Sequence, residues 1–339
     1  MANGQANLGD SIPNFDRIVR AIESGRCIPF LGAGVSMGFQ SWINGQDIIP
    51  GCPSGDQLKY KLADAIKRAR LPESQLSTLI SLPDLPSVAE FFHFFDNGQR
   101  SDLENVVKQA IASAIFPRPI HWVMTGIPSI RCVFTTNYDE LIETAAVKHS
   151  TPRDLRGPFV YNQSLPEQVK PSNLPIELIK GERFNHDIPA PPGGYPLVIY
   201  KMHGCVNHDD SLLITTSDYV QYIAFWRDER RGMPKEFRDL LYKNTFLFLG
   251  YGLSDWNFRV LWESMITSFP NGKFEINSYA VKKNVSDFER DLYKKRGIDL
   301  IDCDLTYLAR ALAEVFKIDI PLPSHPNGSD PQPAQGQGL

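Results

Sequence analysis

The sequence predicts an α/β fold, a Rossmann-like, doubly wound and mostly parallel sheet that carries an inserted helical subdomain. Two observations predict it. Short apolar runs at Cys27 to Leu31, Cys132 to Phe134, Leu197 to Tyr200 and Phe246 to Leu249 recur between segments of helical period. Each of these runs ends in Gly, Ser, Asn, Asp or His. In an open parallel sheet, ligands bind in the crevice at the carboxyl ends of the strands, so four polar strand ends in one chain point to a shared site.

Taken in order, Asn14 to Gly25 reads as a first helix, with Asn14 as its cap and Ile18, Ala21 and Ile22 on one face. The strand at 27–31 follows. Its Pro29 lacks an N–H, which places that strand end at an edge or in an irregular ladder. Residues 50–126 read as a helical insertion: Asp56 to Arg70, then Ser87 to Phe95 with a phenylalanine stripe, then a helix through Ile115 opened by a Ser101-x-x-Glu104 capping box, then Pro119 to Gly126. Asp139 to His149 is again helical. Residues 151–194 are rich in Pro and Gly and read as an irregular loop with one short strand at Phe159 to Tyr161, a lid or an assembly surface. From Leu197 the rhythm returns: strands at 197–202, 245–249, 278–282 and 298–301, helices at 217–230, 234–243, 255–267, 286–295 and 305–316. One domain therefore covers residues 1–320, and the Pro, Gly, Ser and Gln tail at 321–339 reads as disordered.

Composition narrows the function classes. The chain has 339 residues, 42% hydrophobic and 22% charged, as in an ordinary globular protein. Its 35 Lys and Arg against 39 Asp and Glu give a net charge of −4, which argues against direct nucleic-acid binding. No apolar run is long enough to span a membrane, and the polar start lacks a signal pattern, so a cytoplasmic location is expected. Five cysteines without a Cys-x-x-Cys pair argue against a disulfide framework and against a structural zinc site.

The chemistry concentrates in four segments. Phe30-Leu31-Gly32-Ala33-Gly34-Val35-Ser36 is a strand that runs into a Gly-x-Gly turn. Such a turn lets backbone N–H groups approach an anion, and Ser36 adds a hydroxyl. Met37 stands where the dinucleotide fingerprint wants a third glycine. The other segments are Thr135-Thr136-Asn137-Tyr138-Asp139, Lys201-Met202-His203-Gly204 and Gly250-Tyr251-Gly252-Leu253-Ser254-Asp255.

This ordered set resembles the NAD-contacting segments of the sirtuins. It is most similar to the bacterial sirtuin-like (Sir2-domain) NAD-hydrolysing proteins of antiphage defence, over about residues 26 to 260. The chain lacks the two Cys-x-x-Cys pairs of the sirtuin zinc ribbon. The resemblance implies NAD as substrate, no metal, and an NAD glycohydrolase that releases nicotinamide and ADP-ribose and depletes cellular NAD on infection. It implies Gly32, Ala33, Gly34 and Ser36 as a phosphate cradle and Thr136 beside it. Asn137 would hold the ribose or the attacking water, Asp139 would bind the carboxamide, and His203 would be general base. Gly250, Gly252, Ser254 and Asp255 would form a second nucleotide-contacting turn. Asn137, Asp139 and Asp255 each have a second reading as helix caps. Restraint of such an enzyme implies a homo-oligomer, or a separately encoded sensor or HerA-type ATPase partner. Two other functions fit the motifs: a sirtuin-type deacylase or ADP-ribosyltransferase, and a non-catalytic NAD or ADP-ribose binding module.

Overall fold

The computed structural model describes residues 8–40, 48–68, 79, 81–95, 99–150, 154–160, 196–227, 244–252 and 278–321. Of the expected loop at 151–194, residues 154–160 are described, and Leu155–Val160 form a strand that starts four residues before the expected one at Phe159 to Tyr161. The rest of that loop, the helices at 234–243 and 255–267, Ser254, Asp255 and all but the first residue of the tail lie outside the described residues.

A parallel sheet is the frame. Its strands are β1 (Cys27–Leu31), β4 (Cys132–Thr135), β5 (Leu155–Val160), β6 (Leu197–Lys201), β7 (Thr245–Leu249), β8 (Ser278–Lys282) and β9 (Ile298–Asp302). They form one seven-stranded sheet in the order β5-β6-β4-β1-β7-β8-β9, parallel throughout. β2 (Phe39–Gln40) and β3 (Ile48–Ile49) make a separate small hairpin. The chain starts at the centre, fills one side with β4 to β6, then crosses to β7 and works outward. The winding reverses beside β1, so a crevice must open at its carboxyl end.

The strands alternate between two apolar layers, as a period of two requires. One face carries Phe30, Phe134, Tyr200, Phe246 and Phe248, covered by Tyr219 and Tyr222 of α7 (Thr216–Arg227) and Tyr293 of α8 (Asp287–Lys294). Phe30 stacks on Phe134 with ring centroids 4.8 Å apart. The other face carries Leu31, Val133, Ile199, Leu247 and Leu249. It packs on α1 (Phe15–Glu23), α5 (Pro119–Gly126), α6 (Leu141–Lys148) and α9 (Leu305–Phe316). The helical insertion forms a third cluster. Leu58 and Leu62 of α2 (Gly55–Arg68), Val88 and Phe92 of α3 (Leu85–Phe95) and Leu103 and Val107 of α4 (Arg100–Ile111) close on Val206, Leu212 and Ile214. Those last three residues follow β6, so the insertion stands over the carboxyl ends of the strands.

Three local expectations are corrected. β1 is central, not an edge. Gly32 N–H donates to Leu249 O of β7, so by alternation the donor that Pro29 lacks falls on the β4 side. Pairing with β4 begins only at Phe30, one residue later, and no ladder bond is lost. Asn14 precedes α1 in the left-handed conformation (φ 58°), and its side chain caps nothing. The Ser101/Glu104 box is not formed: Glu104 instead accepts from Arg100 Nε at 3.3 Å and Asp210 N at 3.1 Å. Capping boxes close α8, through Ser286 and Glu289, and α2, through Ser54 and Gln57. No helix among the described residues is long and apolar enough to cross a membrane.

Candidate active site

Two glycine turns meet at the switch point. The turn after β1 winds into a short 3-10 helix over Ala33–Val35, and Ser36 O ties it to Cys52 N at 2.8 Å. Gly34 N–H donates to Gly250 O at 2.8 Å. Gly250 takes φ +72°, and a Cβ on it would lie 2.4 Å from Val35 N. A Cβ on Gly34 would lie 2.9 Å from the Gly250 backbone. The glycines are therefore required first by the approach of one turn to the other. The amides of Gly32, Val35 and Ser36 also donate to protein carbonyls, at 2.9, 3.1 and 3.0 Å. Ala33 is exposed, and its N–H has no carbonyl partner among the described residues.

Asn137 fastens this turn to β4. Its Nδ2 donates to Gly32 O at 3.1 Å and to Ser36 Oγ at 3.0 Å, and its own amide donates to Thr135 Oγ1 at 3.0 Å. That leaves Oδ1 as the Asn137 atom without a partner among the described residues. Asp139 is buried. Its Oδ1 accepts from Leu141 N at 3.0 Å, from one residue before the Glu140 N-cap position of α6, while Oδ2 accepts from Cys52 Sγ at 3.4 Å. Burial, then the Asp139 carboxylate, push the Cys52 thiol well above its ordinary range. Thr136 Oγ1 meets Tyr251 Oη at 3.3 Å, which links the β4 segment to the second glycine turn.

His203 stands two residues past β6. It is 4% exposed, and its ring lies edge-on to Tyr219 and Tyr222 at 5.3 and 6.1 Å. Among the described residues the ring's polar contact is a long one, between Nδ1 and Tyr219 Oη at 3.5 Å. Burial without a compensating charge pushes the imidazole down to about 3, so it is neutral through the whole physiological range.

Ser36, Asn137, Asp139 and His203 line one cavity of about 110 Å³. It shares Ala33, Gly250, Tyr251 and Gly252 with a larger cavity of about 950 Å³. The N-terminal turns of α2, α3, α5 and α9 all border the larger space, so the positive ends of four helices face it. A small chamber with a base and an amide, opening on a long cleft, suits a ligand with one reactive end and an extended body.

The predicted residues thus converge where they lie within the described chain: Thr136, Asn137 and Asp139 from β4, His203 from β6, and the turns after β1 and β7. Sequence reasoning missed Lys201, Glu143, Arg118 and Cys52. Lys201 is fully buried, with Nζ 3.0 Å from Glu143 Oε1. Arg118 donates to Met37 O at 2.9 Å, to Phe116 O at 2.7 Å and to Pro50 O, so it ties both ends of the β2–β3 segment to the start of α5. A lysine that closes an apolar run was the available signal for the first. The partners of the others are set by contacts distant in sequence.

Residues 131–301, just over half of the chain, match the family described as SIR2-like domain. The chain is 26% identical over 247 residues to the NAD(+) hydrolase ThsA of Enterococcus faecium, covering 71% of this chain and 40% of that protein. It is 24% identical over 276 residues to the protein of the same name from Acinetobacter baumannii, covering 81% and 46%. For the Bacillus cereus protein it is 24% over 245 residues, covering 70% and 41%. The chain spans less than half the length of these curated relatives.

Proposed function

The chain belongs to the SIR2-like domain family, and on that premise we propose that it is an NAD glycohydrolase, cleaving NAD with water to nicotinamide and ADP-ribose. One observation carries the reading: Asn137 and His203, from different strand ends, border a single small chamber that opens onto the long cleft between the glycine turns. The relatives named NAD(+) hydrolase support it.

In this reading nicotinamide and its ribose occupy the chamber, and the pyrophosphate lies along the cleft past Ala33. The bond from the nicotinamide nitrogen to C1′ breaks, and the electron pair leaves with neutral nicotinamide. C1′ becomes oxocarbenium-like, and water adds to it. Addition to a cationic carbon acidifies the water, so a weak neutral base suffices, and the proton passes to the His203 imidazole. Asn137 Oδ1 accepts a hydrogen bond from a ribose hydroxyl or from that water. Asp139 keeps lone pairs beyond its two existing partners and accepts from the nicotinamide carboxamide. Ser254 and Asp255 complete the second nucleotide turn, as the motif resemblance implies. The same resemblance supports reading the chain as an effector of antiphage defence in the cytoplasm, restrained by homo-oligomerisation or by a separately encoded sensor or ATPase.

Chromatography of NAD incubated with the purified protein, at low and high concentration, tests the reading. Nicotinamide and ADP-ribose should appear in equal amounts, with specific activity rising with protein concentration. Turnover only in the presence of an acetyl-lysine peptide would replace it with the deacylase function. NAD binding without turnover in any assembly would replace it with the binding module.

A further inference from the structure

Lys201 is the last residue of β6, beside Thr135 in the sheet register, and is 0% exposed. Its ammonium has two partners among the described residues. It donates to Glu143 Oε1 on α6 at 3.0 Å, and to the main-chain carbonyl of Asp139. Glu143 is buried too, and its second oxygen, Oε2, has no hydrogen-bond partner among the described residues. An ion pair kept for stability would be fully satisfied, because a half-satisfied buried charge is worse than an apolar pair of the same shape. This pair therefore makes a poor stability device. Its placement is specific. Two residues beyond Lys201 is His203, and the carbonyl it grips belongs to Asp139, two residues beyond Asn137. One side chain thus joins the two strand ends that form the chamber.

We propose that Lys201, aimed by Glu143, is the positioning residue of this site: by holding the Asp139 carbonyl it sets the spacing of Asn137 and Asp139 against His203. It touches no substrate and acts through the β4–α6 connection. The kinetic consequence rests on the NAD glycohydrolase reading; the structural one does not. A misplacement of about 1 Å in a reacting constellation lowers turnover by roughly 100-fold.

The test compares wild type with the Lys201→Met/Glu143→Leu double variant, which removes both charges, and with Glu143→Gln, which keeps an acceptor but weakens the aim. Two readouts are taken on each: amide hydrogen exchange at Leu141, whose N–H is held by Asp139 Oδ1, and kcat and KM for NAD. In the double variant, with an unfolding midpoint near wild type, Leu141 exchange should quicken by about tenfold or more. Its kcat should fall by about 10- to 100-fold with KM changed by less than about threefold. Glu143→Gln should show the same two changes at a smaller size. Unchanged Leu141 exchange and unchanged kcat in a folded double variant overturn the proposal. If that variant does not fold, wild-type exchange and kcat in Glu143→Gln overturn it instead. Faster Leu141 exchange in a protein whose wild type never cleaves NAD supports the positioning role and rejects the glycohydrolase reading.

Discussion

Replacing Asn137 by aspartate keeps its shape and should nevertheless destabilise the protein more than replacement by alanine. The Asn137 amide gives both its hydrogens away, to Gly32 O at 3.1 Å and Ser36 Oγ at 3.0 Å, in a residue only 9% exposed. Alanine removes both donors: Ser36 Oγ loses its donor, while Gly32 O keeps the Val35 amide, and the loss costs about 1–3 kcal/mol in total. Aspartate loses the bond to Gly32 O and sets a carboxylate oxygen against that carbonyl, adding about 1–3 kcal/mol at neutral pH even when the Ser36 hydroxyl turns its O–H to the other oxygen. The sign with pH follows. Burial and the facing carbonyl raise the folded carboxyl above its unfolded value of about 3.9. The extra penalty is therefore present at pH above the folded value. It is relieved as pH falls toward about 3.9, by up to about 1.4 kcal/mol per pH unit. Urea unfolding of both variants at pH 7.5 and pH 5 measures this, and their difference cancels every other titrating group. Asn137→Asp should be the less stable at pH 7.5, with the gap narrowing at pH 5. An aspartate variant at least as stable as the alanine variant at pH 7.5, or a gap that ignores pH, would refute the reasoning.

Gly250→Ala should cost about 2–4 kcal/mol, from the left-handed backbone, the 2.4 Å approach of its Cβ to Val35 N and loss of the Gly34 to Gly250 hydrogen bond; a urea midpoint equivalent to less than about 1 kcal/mol would count against the two-turn contact. His203 is pushed down to about 3 from an unfolded value of about 6.5, so the unfolded chain takes up a proton that the folded site refuses. Its neutral burial is fully stabilising above about pH 6.5 and is lost as pH falls. Between pH 6 and 4.5 the stability of His203→Ala should accordingly fall less steeply than that of wild type, by up to about 1.4 kcal/mol per pH unit. Parallel slopes would mean that the ring is protonated in the fold.

What the sequence revealed and what it hid divide along one physical line. Strand ends are local: an apolar run followed by Gly-x-Gly, Asn-x-Asp or His-Gly is visible in a few residues, and the sheet topology brings those ends together. Packing between distant segments is not local. Nothing near Gly250 announces that its carbonyl takes the Gly34 amide, and nothing near Cys52 announces Asp139, 87 residues away. The glycines were legible as glycines that the backbone requires, but the phosphate-cradle argument does not anticipate the neighbouring turn that fills the space. Pro29 suggested an edge because strand pairing on each side is a property of the whole sheet. Glu104 left its expected cap for Arg100 and Asp210, a tertiary contact outbidding a local one. Lys201 was read only as part of the His203 segment, since its use depends on a carbonyl 62 residues earlier.

The most direct test of the central claim is nicotinamide release from NAD by wild type, His203→Ala and Asn137→Ala, each first shown to be folded by its unfolding transition. The account predicts release by wild type and a loss of about 100-fold or more in both variants, because each removes a group that borders the same chamber. Wild-type release rates in either folded variant would contradict it, and would move the chemistry out of the chamber between β4 and β6.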